Sequence, residues 1–175
     1  GGGGGDAPPT PTTATAEGFW TGSTSNGLKA YVAVLENGET WGFYTTNANA
    51  LAGAFYGNST ASGSTLSGTG LDFYNGAANA TNYSGTFAPK STLTVTMGNG
   101  VRFNGSYSTD YDKPASLDTL AGSYNGYGMT DKSAATYTPV SISGNGTITA
   151  GNSYCTMTGT ATPRASGKNV FDLQV

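Results

Sequence analysis

The chain of 175 residues contains 28 Gly, 11 Tyr, 7 Phe and 2 Trp, with only 10% charged residues and a formal net charge of −3. That balance is too aromatic for a disordered chain, offers no apolar run near the ~20 residues of a spanning helix, and has no basic stripe for a phosphate backbone, so nucleic acid is set aside as a partner. With no His and a single Cys, Ser-His-Asp and Cys-His nucleophiles, His-bearing zinc sites and an imidazole pH switch are excluded as well.

Residues 1–16, GGGGGDAPPTPTTATA, show no apolar alternation and read as a flexible Gly/Pro/Thr tether. From Glu17 the pattern changes to period-2 alternation broken by turn dipeptides, the signature of short strands. Residues 18–22 open the series. Asn26-Gly27 supplies a turn that accepts positive φ, as type I′ hairpins require, and residues 28–35 return. Asn37-Gly38 then leads into residues 39–46, where Trp41 and Phe43 share one face and Thr40, Gly42 and Tyr44 the other. Further strands are predicted at 51–60, 65–74, 83–88, 92–97 and, after Asn99-Gly100, at 101–107. Eight short antiparallel strands at this spacing predict an all-β meander closed into a barrel-like module over residues 17–107. Its inward positions alternate Gly, Ala and Thr with few large residues, which leaves room for an internal cavity.

Asp110-Tyr111-Asp112-Lys113-Pro114 breaks the alternation. Residues 116–122 read as one helical turn, with Ser116 as its cap, Asp118 in the first turn and Gly122 as its end. This places a linker with a short helix at 108–121, and Leu117 and Leu120, three residues apart, are expected to plug one end of a β-structure. The opening motif then returns: Gly122-Ser123-Tyr124-Asn125-Gly126 repeats the Gly-x-aromatic-x-Gly of Gly18-Phe19-Trp20-Thr21-Gly22. A related, smaller antiparallel β-module over 122–175 is predicted, with strands at 122–128, 136–143, 147–150, 154–161 and 169–175. It stops in mid-pattern, which fits either a small module or a chain that ends before its natural terminus. Cys155 reads as a buried small hydrophobe or as the partner of a cysteine outside this stretch.

The poly-Gly and Pro/Thr tether leading into Glu17-Gly18-Phe19-Trp20-Thr21-Gly22, the Leu35-Glu36-Asn37-Gly38-Glu39-Thr40-Trp41 turn, and the stretch SYSTDYDKPASLDTLAGSYNG ending at Gly126 resemble Gly-rich-tethered outer-membrane lipoproteins and surface antigens of Gram-negative proteobacteria. Transferrin-binding-protein-like and factor-H-binding-protein-like small β-barrel lipoproteins are more distant analogues. The resemblance implies a lipid on a cysteine immediately preceding Gly1, a surface-exposed position at the bacterial outer membrane, and a role in binding, since such barrels engage complement regulators, transferrin or haemophores. It also implies a second cysteine downstream of a residue like Cys155. The shared motifs are structural and none is catalytic.

The residues themselves point the same way. The carboxylate pairs Glu36 with Glu39 and Asp110 with Asp112 lie in or beside turns, where solvated acids are ordinary, and neither sits in an aromatic cluster that would mark a glycosidase cleft. Asp110-Tyr111-Asp112 lacks the loop pattern of a calcium site, and no tyrosine stands beside a haem-ligating His. No catalytic residue, metal ligand or cofactor is therefore expected, and the chain reads as no enzyme. Eleven tyrosines exceed what a small core hides without stranding hydroxyls. They serve either as ordinary strand filler with a wet tip or as an adaptable contact surface. Trp41, Tyr44, Tyr56 and Tyr111 are the candidate partner-binding residues. The expected function is a non-catalytic binding or antigenic module for a host or envelope protein or glycan. A structural envelope component and a lipocalin-like carrier of a small apolar ligand are the alternatives.

Overall fold

The computed structural model of the protein describes residues 15–130 and 133–175. The proposed tether lies outside the described residues except for Thr15 and Ala16. The fold is all-β, with a closed eight-stranded antiparallel barrel, a short helical segment and a second, smaller antiparallel sheet. Two compact units divide between Ser108 and Thr109.

In the first unit β1 (Gly18–Thr24), β2 (Lys29–Val34), β3 (Glu39–Thr45), β4 (Leu51–Ser62), β5 (Thr65–Tyr74), β6 (Ala77–Ala88), β7 (Thr92–Met97) and β8 (Arg102–Ser108) pair in consecutive order. β8 returns to β1, with Phe19 opposite Ser108 and Thr24 opposite Phe103, so no edge strand is left in the barrel. Turn chemistry sets these registers. At Asn26-Gly27, Asn37-Gly38 and Asn99-Gly100 only the glycine takes positive φ, at 88°, 88° and 86°. The Gly27 and Gly38 amides donate to the carbonyls of Thr24 and Leu35. These are type I turns closed by a left-handed glycine and not the type I′ turns expected from the dipeptides. The type I′ geometry occurs instead at Asn75-Gly76, where both residues are left-handed, at 53° and 73°. There the hairpin is two residues long, and β6 begins at Ala77 rather than at Tyr83. Alternating Ala and Asn carry weak strand propensity, so this half of β6 is held by its partner and not by its own composition.

Glycine makes the narrow interior possible. A Cβ on Gly68 would sit 2.3 Å from Cζ of Tyr83, one on Gly105 2.5 Å from Cζ of Phe103, and one on Gly70 2.8 Å from Cζ of Phe55. The large inward rings thus lie flat over neighbouring bare backbone. The core comprises Trp20, Val34, Phe55, Leu66, Phe87, Leu93 and Phe103, with Trp20 fully buried. Trp20 Nε1 donates a 2.8 Å hydrogen bond to the Ala16 carbonyl. Ala16, assigned above to the tether, is itself a core residue, because the indole needs an acceptor once it is removed from water.

The second unit takes in most of the segment read as a linker. Thr109–Asp112 forms a 3-10 turn and α1 (Leu117–Leu120) a single helical turn. Ser116 makes no side-chain cap, and Ala121 rather than Gly122 is the C-cap. Leu117 is half-buried, and its Cδ2 lies 3.5 Å from where a Cβ on Gly146 would stand, so it rests against the turn after residue 142. The strands are β9 (Gly122–Tyr124), β10 (Tyr127–Thr130), β11 (Ser133–Tyr137), β12 (Val140–Ile142), β13 (Thr147–Gly151), β14 (Thr156–Pro163) and β15 (Phe171–Gln174). The strands predicted at 122–128 and 136–143 are each split in two. One register nevertheless runs through both pieces: Tyr124 faces Val140 and Tyr127 faces Tyr137, with the Thr138 amide donating to the Gly126 carbonyl between them. The break falls at Pro139, which has no amide to donate. β9, β12, β13, β14 and β15 form an open five-stranded sheet with a small core of Ile148, Ala150 and Ala161. Gly18 and Gly122, each the first residue of its unit's opening strand, share φ values of 153° and 151°.

Candidate functional site

Strand parity decides which aromatics meet water. On β3 the inward side chains are Thr40, Gly42 and Tyr44, and the outward ones are Trp41, 51% exposed, and Phe43, 45% exposed. Register then carries the outward face across the sheet. One row runs Ala33, Trp41, Tyr56, Leu71 and Ala80 over β2 to β6, and the next runs Tyr31, Phe43, Ala54, Phe73 and Ala78. Within these rows Trp41 and Tyr56 stand 4.4 Å apart at an interplanar angle of 53°, and Tyr31 stacks on Phe43 at 4.8 Å and 19°. Leu71 and Phe73 are also exposed. Aromatic cross-strand pairs stabilise a sheet by a few tenths to about 1 kcal/mol each, but a contiguous exposed apolar face goes beyond that need and is the usual mark of a contact surface.

The next row in the same direction is polar: Glu39, Asn58, Thr69 and Asn82 lie opposite one another on β3 to β6. Beyond it come Thr60, Ser67, Ser84 and Thr96. The outside of the barrel therefore grades from aromatic to hydroxyl and amide over a few residues, and a shallow groove lies along the junction.

The interior is a second candidate. A cavity of about 70 Å³ lies inside the barrel, with Val32, Phe55, Val95 and Phe103 among its apolar lining and Asn26, Asp72 and Asn99 among its polar lining. Tyr44 reaches across β4 and donates a 2.9 Å hydrogen bond to Asp72 Oδ1. Burial, and then the Asp72 carboxylate, raise the Tyr44 hydroxyl well above the ordinary phenol range. Deeper in, Thr40, Ser59 and Tyr83 form a chain of hydroxyls at 2.6 and 2.5 Å. Thr40 Oγ1 also lies 3.1 Å from the Gly38 carbonyl oxygen, so each of these hydroxyls has a hydrogen-bond partner.

Of the four residues singled out from the sequence, the structure brings together Trp41 and Tyr56. Tyr44, proposed for the outer surface, is directed into the barrel, because the parity that exposes Trp41 turns Tyr44 inward. Tyr111, proposed as an exposed loop residue, is 1% exposed in the second unit. Lys168 Nζ lies 5.9 Å from its ring centroid, and the Asn169 amide donates to its carbonyl. The residues that completed the outer face but were not singled out are Tyr31, Phe43, Leu71 and Phe73. The Asn37-Gly38 turn signalled that β2 pairs with β3, which carry Tyr31 and Phe43, but Leu71 and Phe73 join the face through the β3–β4 and β4–β5 pairings, whose turns hold no Asn-Gly dipeptide. Asp110 and Asp112 are paired with Lys113 at 2.8 Å and Lys168 at 3.6 Å. Cys155 is exposed and unpaired, not buried, since it follows the tight turn in which the Asn152 side chain accepts from the Tyr154 and Cys155 amides.

No family model, curated protein or solved structure matches the chain.

Proposed function

We propose that the chain is the exposed part of a bacterial outer-membrane lipoprotein, anchored by a lipid on a cysteine preceding Gly1. In this reading it is a non-catalytic module that binds a host or envelope partner through the outer face of β2 to β5. The observation that carries this is the paired aromatic rows centred on Trp41 and Tyr56. Five outward rings held in register on a closed sheet, Trp41, Phe43 and Phe73 exposed and Tyr31 and Tyr56 half-buried, offer preorganised contact area that loses little entropy on binding. The aromatic side chains are not needed to fill the core, because Trp20, Phe55, Tyr83 and Phe103 already fill the interior.

The test compares the wild-type chain with a Trp41→Ser, Phe43→Ser double variant for retention of host and envelope fractions on immobilised protein. Capture that is lost in the variant, with an unchanged unfolding midpoint, is the expected result. Equal capture by both proteins would overturn this use of the face. The anchor is tested by the intact mass of the protein extracted in detergent from its native envelope, where a lipidated cysteine is expected and a lipid-free mass would refute it.

The cavity favours a second reading, carriage of a small apolar ligand. Its 70 Å³ compares with ~10–15 Å³ for one water on the same measure, which limits an occupant to a handful of heavy atoms. Mass spectrometry of protein purified from its source, under native and then denaturing conditions, would release such an occupant or show none.

A further inference from the structure

We propose that the partner of the outer face is a neutral oligosaccharide, seated on the junction between the aromatic row and the amide row. This inference rests on the reading of that face as a binding surface and goes further by naming the ligand's chemistry.

The groove along the junction is bounded on one side by Tyr56, Leu71 and Ala80 and on the other by Asn58, Thr69 and Asn82. Trp41 extends the first side, its ring tilted 53° against that of Tyr56 with the centroids 4.4 Å apart. Neighbouring strands place residues of one row ~4.8 Å apart, and the two rows are two residues apart along each strand, about 6.6 Å. A pyranose ring has the matching build: an apolar face of C–H groups for the aromatic rings, and equatorial hydroxyls around its rim for amides and alcohols about half a ring-width away. The negative face of an aromatic ring attracts such C–H groups.

Two further features narrow the class. No Asp, Glu, Lys or Arg lines the groove, and the one charged residue of the polar row, Glu39 beside Asn58, is a carboxylate that repels a sialylated, sulfated or phosphorylated ligand, so the junction suits an uncharged partner. The side chains of Asn58, Thr69 and Asn82 also make no hydrogen bond among the described residues and are exposed. Each Asn offers two donors and an acceptor, and Thr69 offers a hydroxyl of either sense. A ladder of unengaged amides and hydroxyls beside an aromatic shelf suits a ligand that alternates C–H faces with hydroxyls.

The experiment is an array of immobilised neutral oligosaccharides, comprising β-glucans, lactose-series glycans and chito-oligosaccharides, printed with their sialylated and sulfated counterparts. Host glycoproteins before and after enzymatic deglycosylation are probed alongside. Wild-type protein is expected to bind at least one neutral glycan. A Trp41→Ser, Tyr56→Ser variant should weaken this roughly tenfold or more, an Asn58→Ala, Asn82→Ala variant about threefold, and Ser106→Ala on the outward face of β8 should leave it unchanged. Thermal unfolding of each variant separates binding loss from unfolding. Binding to no neutral glycan, or to charged glycans alone, overturns the inference. If deglycosylated proteins are still captured in a Trp41-dependent manner, the binding face stands and the glycan does not. If nothing is captured in a Trp41-dependent manner, both fall.

Discussion

The Tyr44 hydroxyl and the Asp72 carboxylate meet inside the barrel at 2.9 Å, although they belong to β3 and β5 and a whole strand lies between them. They meet because the residue paired with Tyr44 on β4 is Gly53. A Cβ there would lie 3.0 Å from Tyr44 Cδ2 and 2.4 Å from the Phe73 carbonyl oxygen, so only bare backbone lets the ring pass.

This contact makes stability sensitive to alkali. Burial and the neighbouring carboxylate raise the Tyr44 pKa in the folded chain, whereas the unfolded chain ionises near pH ~10. Below that pH both states keep the proton and the contact contributes fully. Above it the unfolded state releases a proton that the folded state retains, so stability falls as pH rises. Tyr44→Phe is expected to lower stability at neutral pH by about 1 kcal/mol, the net value of a hydrogen bond, and to flatten the decline above pH ~10. Urea unfolding at neutral and alkaline pH measures both. A decline as steep in the variant as in the wild type would refute the assignment.

Gly68 tests the packing of rings over glycine. A methyl group there meets Tyr83 Cζ at 2.3 Å and the Asn58 carbonyl oxygen at 2.4 Å. The tyrosine ring can move, but the backbone carbonyl is fixed by its ladder. Gly68→Ala is expected to cost roughly 1–3 kcal/mol or more. The same change at Gly63, which has open space around its Cβ direction but a φ of 61°, should cost less, about 1 kcal/mol, from backbone strain alone. Equal losses at the two positions in chemical denaturation would show that the interior is not tightly filled.

Thr45 sits where the β3–β4 register shifts. It is 8% exposed, and its hydroxyl has no hydrogen-bond partner. Thr45→Val replaces that hydroxyl by a methyl group of similar size and is expected to raise stability by roughly 1 kcal/mol, the cost of an unsatisfied buried polar group. Thermal unfolding of the variant reads this directly. A drop in midpoint would indicate that the hydroxyl is satisfied by solvent.

The two tryptophans divide between the interior and the outer face, with Trp20 at 0% and Trp41 at 51% exposure. Iodide should therefore quench one component of the emission and leave a blue-shifted component untouched. Trp41→Phe is expected to abolish the quenchable part without lowering stability by more than about 0.5 kcal/mol, as for an exposed site. A ligand on the outer face should protect the same component. Trp20→Phe, by contrast, should lose both volume and the bond to Ala16, at a cost of about 2–3 kcal/mol.

Much of this molecule was legible in the amino-acid sequence. Period-2 alternation located all eight barrel strands, and the Gly-x-aromatic-x-Gly repeat located the start of the second sheet. The Asn-Gly dipeptides marked the turns, even where the turn type differed, since glycine supplies the left-handed residue in either geometry. What alternation cannot supply is sign. It sorts Trp41 and Tyr44 onto opposite faces of β3 but does not state which face is inside. Barrel closure decided that, because eight strands enclose space for only a few rings and those places are taken by side chains from other strands lying over inward glycines. The same closure brought Trp41, Tyr56, Phe43 and Tyr31 together from three strands and sent Tyr44 to Asp72. Tyr111 is buried through contacts with residues more than fifty positions away, which no local pattern records. Composition and periodicity thus determined the fold class and the strands. Only the tertiary structure, through the limited volume of the closed barrel, selected which aromatic residues became core and which became surface.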